Sequence, residues 1–139
     1  MKFVLDTDVI VAGLRSPTGA SAELLRLVHS GFITIVVTVP LILEYESVLT
    51  RPEHLAASGL VTSEAQAVID VLVSVAEWSR IDYRWRPQTR DPADEMVLEA
   101  AINGAASAIV TFNRRDFGAA PAKFGIGCWL PGETLEKLR

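Results

Sequence analysis

A chain of 139 residues, half of them hydrophobic, is long enough to bury one core of ordinary size and too short for two, so a single domain over 1–139 is expected. Thirteen basic against seventeen acidic residues leave a net charge of −4, which argues against a nucleic-acid binder that works by surface charge alone. The longest apolar run, Phe32 to Leu43, is twelve residues interrupted by two threonines and Pro40, too short to span a membrane, and Asp6 and Asp8 break the apolar stretch after Lys2 before a secretory signal can form; a cytoplasmic protein is expected.

Phe3-Val4-Leu5 reads as a short buried strand that runs straight into Asp6-Thr7-Asp8 with no turn residue between. Strands usually end in Gly, Asn or Pro, whereas this one delivers carboxylates to its C-terminal end, where open parallel sheets bind ligands. One aspartate binds a metal ion poorly and three or four bind it well, so the reading depends on acids recurring at equivalent places downstream. The alternative is that Asp6 or Asp8 only caps the segment Val9 to Leu14.

Ser16-Pro17-Thr18-Gly19 is a turn cluster, after which Ala22, Leu24, Leu25, Leu27 and Val28 recur at helical spacing until Gly31. Phe32 to Val37 is β-branched and apolar, a second buried strand. Strand, helix and strand in that order imply a right-handed crossover into a parallel sheet, hence an α/β layer structure. Thr38 caps the next helix, Pro40 fits its first turn, and Leu41 to Leu49 continue it until Arg51-Pro52. Glu44 and Glu46 lie equally far to either side of its apolar face, so periodicity does not choose between them, and either reads equally as a solvated flank residue. Thr62 or Ser63 starts a longer helix whose stripe of Ala65, Val68, Ile69, Leu72, Val75 and Ala76 is wide enough for part of it to face a second copy in a homodimer.

Arg80 to Arg90 is the one basic concentration, with Arg80, Arg84, Arg86 and Arg90 interleaved with Tyr83 and Trp85. Guanidinium and aromatic planes together suit single-stranded RNA, which makes Arg84, Trp85 and Arg86 candidate RNA contacts against the plainer reading of a solvated loop. Asp91 then caps a helix with Pro92 at its first position and Asp94 in its first turn, a geometry that suits the macrodipole and also holds Asp94 as rigidly as a metal ligand requires. Ala108 to Thr111 is a further buried strand that runs into Asn113 and Asp116; Ile126 to Leu130 is the last, with the single cysteine, Cys128, read as a core residue.

Four motifs have now appeared in chain order: Leu5-Asp6-Thr7-Asp8-Val9-Ile10; Leu43-Glu44-Tyr45 with Val48-Leu49 and Arg51-Pro52; Arg90-Asp91-Pro92-Ala93-Asp94; and Val110-Thr111-Phe112-Asn113 with Asp116-Phe117. Together they resemble the motif set of the PIN-domain ribonucleases, in particular the toxin components of VapBC-like toxin–antitoxin systems. The resemblance covers nearly the whole chain. It implies a three-layer α/β/α sandwich around a mostly parallel sheet, an acidic pocket for Mg²⁺ or Mn²⁺, endonucleolytic hydrolysis of RNA by a metal-activated water, and a cognate antitoxin as partner. Residue by residue, Asp6, Glu44 and Asp94 match the first three catalytic acids and Asp116 the fourth, with Asp8, Asp91, Thr111 and Asn113 in support. The match also prefers Glu44 to Glu46. Asp8 departs from the family's usual Asn, and Asn113 stands where many relatives carry an acid, which leaves open whether Asp116 meets the metal directly or through water.

Two rivals remain. Asp6-Thr7-Asp8-Val9 also resembles the nucleophile motif of haloacid-dehalogenase-type phosphatases, but that chemistry needs a later lysine and then an acidic pair, and past Asp116 there are only Lys123, Lys137 and the isolated Glu133 and Glu136. The non-enzymatic rival is the same fold kept as a binding module.

Overall fold

The computed structural model describes residues 1–82, 88–89 and 91–139. Strand β1 (Lys2–Leu5) leads into helices α1 (Thr7–Arg15) and α2 (Ala20–His29), strand β2 (Thr34–Val37), and helices α3 (Val39–Leu49), α4 (Pro52–Ser58) and α5 (Thr62–Val75). Strand β3 (Glu77–Trp78), helix α6 (Pro92–Asn103), strand β4 (Ala108–Val110), the short helices α7 (Arg114–Phe117) and α8 (Ala120–Lys123), strand β5 (Gly127–Trp129) and helix α9 (Pro131–Lys137) complete it.

Five strands form one wholly parallel sheet in the order β3-β2-β1-β4-β5. The chain builds outward from β1 through β2 to β3, then returns to lay β4 on the other side of β1. Right-handed crossovers in the two directions put α1 to α5 over one face and α6 to α8 over the other, giving the three-layer α/β/α sandwich expected from the sequence. Helix α6 packs across β1, β2 and β4, and α9 returns against α2. Coverage on both faces explains why the strands are continuous apolar runs: Phe3, Val4, Leu5, Ile35, Val36, Val37, Ala108, Ile109 and Val110 are all fully buried.

Local chemistry sets most of the helix ends. The Thr38 hydroxyl accepts the Leu41 N–H at 3.3 Å and so caps α3, and Gly31, at φ 80°, turns the chain after α2. The long helix starts at Thr62, with Glu64 reaching back to accept the Val61 N–H at 3.0 Å. Three expectations are corrected. Strand β2 begins at Thr34, leaving Phe32 outside it and exposed. Strand β3 has no counterpart in the sequence reading, because both its residues are exposed at the sheet edge and carry no apolar pattern. Cys128 is half-buried rather than a core residue, because β5 is the opposite edge strand; burial still pushes its thiol up. Among the described residues no single helix is long and apolar enough to cross a membrane.

Gly104, at the end of α6, is required by a close approach. A Cβ there would lie 2.3 Å from Cγ1 of the buried Val36 and 2.9 Å from the Ala100 carbonyl oxygen. Gly104→Ala therefore wedges α6 away from β2 and is expected to cost about 1–3 kcal/mol, the usual range for overpacking. Thermal melting checks this; an unchanged midpoint would show that the helix end has slack.

Candidate active site

The reversal of strand order falls between β1 and β4, so the crevice outside their carboxyl ends is the expected ligand site of this sheet. The two ends are tied together by the Asp6 N–H, which donates to the Val110 carbonyl at 2.9 Å. The half-buried Asp6 side chain uses both oxygens. Its Oδ1 accepts the Thr7 N–H at 2.8 Å, capping α1, and its Oδ2 accepts the Thr111 hydroxyl at 2.8 Å. The helix thus starts at Thr7, two residues before Val9, and capping does not compete with a place in the site, since only one oxygen is committed to it.

Asp8 has a separate task. Its Oδ2 accepts the Phe112 N–H at 3.1 Å and the Asn113 side-chain amide at 2.9 Å, while the Asn113 N–H donates to the Thr111 hydroxyl at 3.0 Å. The segment after β4 is thereby clamped to the start of α1. At the head of α6, Asp91 Oδ1 accepts the Ala93 N–H at 2.9 Å, as its capping position anticipates. Glu95, buried one residue after Asp94, accepts the backbone N–H groups of Gln88 and Thr89. This carboxylate, which periodicity gave no reason to single out, pins the segment that forms one wall of the site.

That wall belongs to a cavity of about 780 Å³ lined by Thr89, Asp91, Asp94, Arg115, Asp116 and Lys123, among others. The acids share one electrostatic field. Burial holds the Asp6 carboxyl above its ordinary value, and the charges of Asp116 and Asp91 add to this against the bonds from Thr111 and Thr7. Asp94 is pushed up to about 7, first by burial, then by Asp6, Asp91, Asp116 and Glu95. Asp8 is pushed up to about 7 by burial and then by Asp6. Asp6, Asp91, Asp94 and Asp116 are brought together from three places far apart in the chain. Arg115 and Lys123, on the rim, were not anticipated; they stand among many exposed basic residues with no local pattern to mark them.

Glu44 is not drawn in by any contact the structure shows. It is half-buried on α3 and, among the described residues, makes no hydrogen bond or ion pair, as is true of Glu46's side chain. Its neighbour Tyr45 donates its hydroxyl to the Leu5 carbonyl, which places this turn of α3 directly beside the end of β1. Asn113 is tied to Asp8, whereas Asp116 faces the shared cavity. Arg84, Trp85 and Arg86 lie outside the described residues.

A family model described as PIN domain matches residues 2–115. The chain belongs to the PIN-domain family. The match runs from β1 into α7, taking in Asp6, Glu44, Asp94, Thr111 and Asn113 and ending one residue before Asp116. No curated protein matches the chain. PIN domains are nucleases as a family and generally use divalent metal ions.

The donor set of this PIN domain fits such an ion by its chemistry. It is all carboxylate oxygen, neighbouring acids add to the burial that raises Asp6 and Asp94, and among the described residues no basic side chain pairs with Asp6, Asp94 or Asp116. Among the described residues no three His, Cys, Asp or Glu close into a ready-made ligand cage. Carboxylate oxygens are hard donors, which suit a hard divalent ion better than Zn²⁺, whose preferred ligands are nitrogen and sulfur.

Proposed function

We propose that this PIN domain is a Mg²⁺- or Mn²⁺-dependent endoribonuclease that acts in the cytoplasm as the toxin of a toxin–antitoxin pair. The supporting observation is that Asp6 and Asp94 at the β1/β4 crevice are both raised by burial and, further, by the charges of Asp91 and Asp116. Like charges gathered in a half-buried crevice repel one another, so such a group attracts a divalent ion. Held by Asp6, Asp94 and Asp116, the ion would lower the pKa of a bound water and offset negative charge on the reacting phosphate. Thr111 keeps Asp6 oriented through its hydroxyl, and Asp8 keeps Thr111, Phe112 and Asn113 in place. Arg115 and Lys123 present positive charge at the rim, offsetting the repulsion between a polyanionic substrate and an acidic cavity.

The deciding experiment is RNA cleavage by purified protein in Mn²⁺ and in EDTA, together with the thermal shift on adding Mn²⁺. Metal-dependent cleavage is expected. A protein that binds RNA but gives neither cleavage nor a Mn²⁺-induced shift would be a PIN fold retained as a binding module. Family membership leaves the phosphatase reading without support.

Glu44 stays in the proposed set through the motif match at Leu43-Glu44-Tyr45 and the position of Tyr45. Glu44→Gln is expected to lower cleavage at least about tenfold, the scale for a group that supports a metal site, and Glu46→Gln to leave it near wild type. Equal losses would assign the wrong glutamate. For the antitoxin, a small protein encoded beside this gene is expected to suppress growth arrest on co-expression. An apolar recess of about 470 Å³ lined by Leu14, Leu25, Val68, Val71 and Leu72 supports a protein partner, the antitoxin or a second copy, on the face of α2 and α5.

A further inference from the structure

Phe112 is 47% exposed, although it follows directly on the fully buried Thr111 at the end of β4. It is not loosely held. Its N–H is bonded to Asp8, and the residues before and after it are bonded to Asp6 and Asp8 respectively. The fold therefore displays an aromatic ring in solvent on a clamped backbone, one residue from the group that orients Asp6. A recess of about 320 Å³ on one side is lined by Phe112, Arg114, Arg115 and Asp116, and it shares Arg115 and Asp116 with the acidic cavity. A recess of about 390 Å³ on another side is lined by Phe112, Arg15, His54 and Asp8 among others, and a third, of about 360 Å³, by Phe112, Leu130, Pro131 and Glu133 with no basic side chain. Among the described residues Arg114 is committed only to an exposed 3.9 Å pairing with Glu133, and Arg15 and His54 have no hydrogen-bonding or ionic partner through their side chains.

We infer that Phe112 is a base-stacking platform that delivers single-stranded RNA to the carboxylates, with Arg114 and Arg115 meeting phosphates on the cavity side and Arg15 and His54 meeting them on the far side. The inference rests on the nuclease reading above and names the form of its substrate. A flat ring displayed in solvent suits an unpaired base, and the cationic side chains in two of the three recesses it borders suit the backbone that carries it. Bases inside a duplex are already stacked on one another, so this platform selects against paired RNA. A purely apolar protein contact would gain nothing from the cationic side chains that line two of the three recesses.

The test is binding of a fluorescein-labelled single-stranded RNA of about ten nucleotides, within the site sizes typical of such grooves, followed by anisotropy in EDTA, with Mn²⁺-dependent cleavage measured in parallel. Phe112→Ala and Phe112→Leu are expected to weaken binding about tenfold or more, the scale of one lost base–aromatic stack, while Phe112→Tyr stays near wild type. An oligonucleotide series with one abasic position moved along it should show one position at which the wild type loses affinity and Phe112→Ala does not, and duplex RNA should respond equally to all four proteins. Because the ring is exposed, melting temperatures should match. Wild-type affinity in Phe112→Ala and Phe112→Leu would overturn the inference, whether Phe112 then proves inert or a docking point for a protein partner. If the wild type cleaves RNA while these variants bind normally, the platform alone has failed; if the wild type neither binds nor cleaves RNA, the nuclease reading has failed and the platform with it.

Discussion

Asp6→Asn should abolish Mn²⁺-dependent RNA cleavage, by more than about a hundredfold since a direct ligand outweighs its supporting groups, and should leave the fold intact. The substitution keeps shape and removes one charge. Asparagine caps a helix as well as aspartate does, so the bond from the Thr7 N–H survives, and the Thr111 hydroxyl needs only to rotate to accept from the new amide. What disappears is the charge that bears on both Asp8 and Asp94. Relief of that repulsion should raise the melting temperature of the ion-free protein at neutral pH while activity is lost. The combination separates a site residue from a structural one, because a purely structural Asp6 would lose stability and activity together. Full cleavage by the purified variant would falsify the assignment of this site.

The second large effect is an opposite pH dependence with and without metal. Asp94 and Asp8 are carboxyls whose values are raised from 3.8 to about 7 on folding. The folded state therefore binds protons more tightly than the unfolded chain between those limits. The stability this confers is complete below about pH 4 and is lost as pH rises through about 7. In EDTA, the wild type should lose stability relative to Asp94→Asn over that window, since the variant has no proton to release at position 94, while Asp8 titrates in both. A divalent ion needs the deprotonated carboxylates, so its stabilising effect should grow over the same window. At a free Mn²⁺ concentration 100 times the dissociation constant, linkage gives about 2.7 kcal/mol, a thermal shift of several degrees at pH 8 and much less at pH 5. A difference between wild type and Asp94→Asn that stays flat with pH in EDTA would mean that the acids are farther apart, or better solvated, than the electrostatic coupling implies.

Much of this architecture was legible because its signals are local. A run such as Ile35-Val36-Val37 is uniformly apolar because the strand is covered on both faces, and Thr38, Asp91 and Pro92 mark helix starts through contacts within three residues of themselves. Where the local signal is weak the reading failed. Glu77 and Trp78 form an edge strand with no buried face, and Cys128 sits on the other edge, where an apolar run no longer means full burial. The choice between Glu44 and Glu46 is different in kind: both flank the buried face of α3 alike, and the preference for Glu44 comes from the family motif rather than from periodicity.

The sequence by itself determined the α/β class, the order of the buried strands and long helices, the strand ends that carry acids and the PIN motif set, all of which depend on residues close together in the chain. Only the tertiary structure decided which charges share a field. Asp6, Asp94 and Asp116 come within electrostatic reach of one another because β4 returns to the flank of β1 in a register that pairs Leu5 with Val110, and because α6 packs across both strands. The same packing gave Asp8 to the loop after β4, exposed Phe112 beside the cavity and brought Arg115 and Lys123 to its rim. Coulomb coupling depends on distance and burial, and neither is set until strands separated by most of the chain lie side by side.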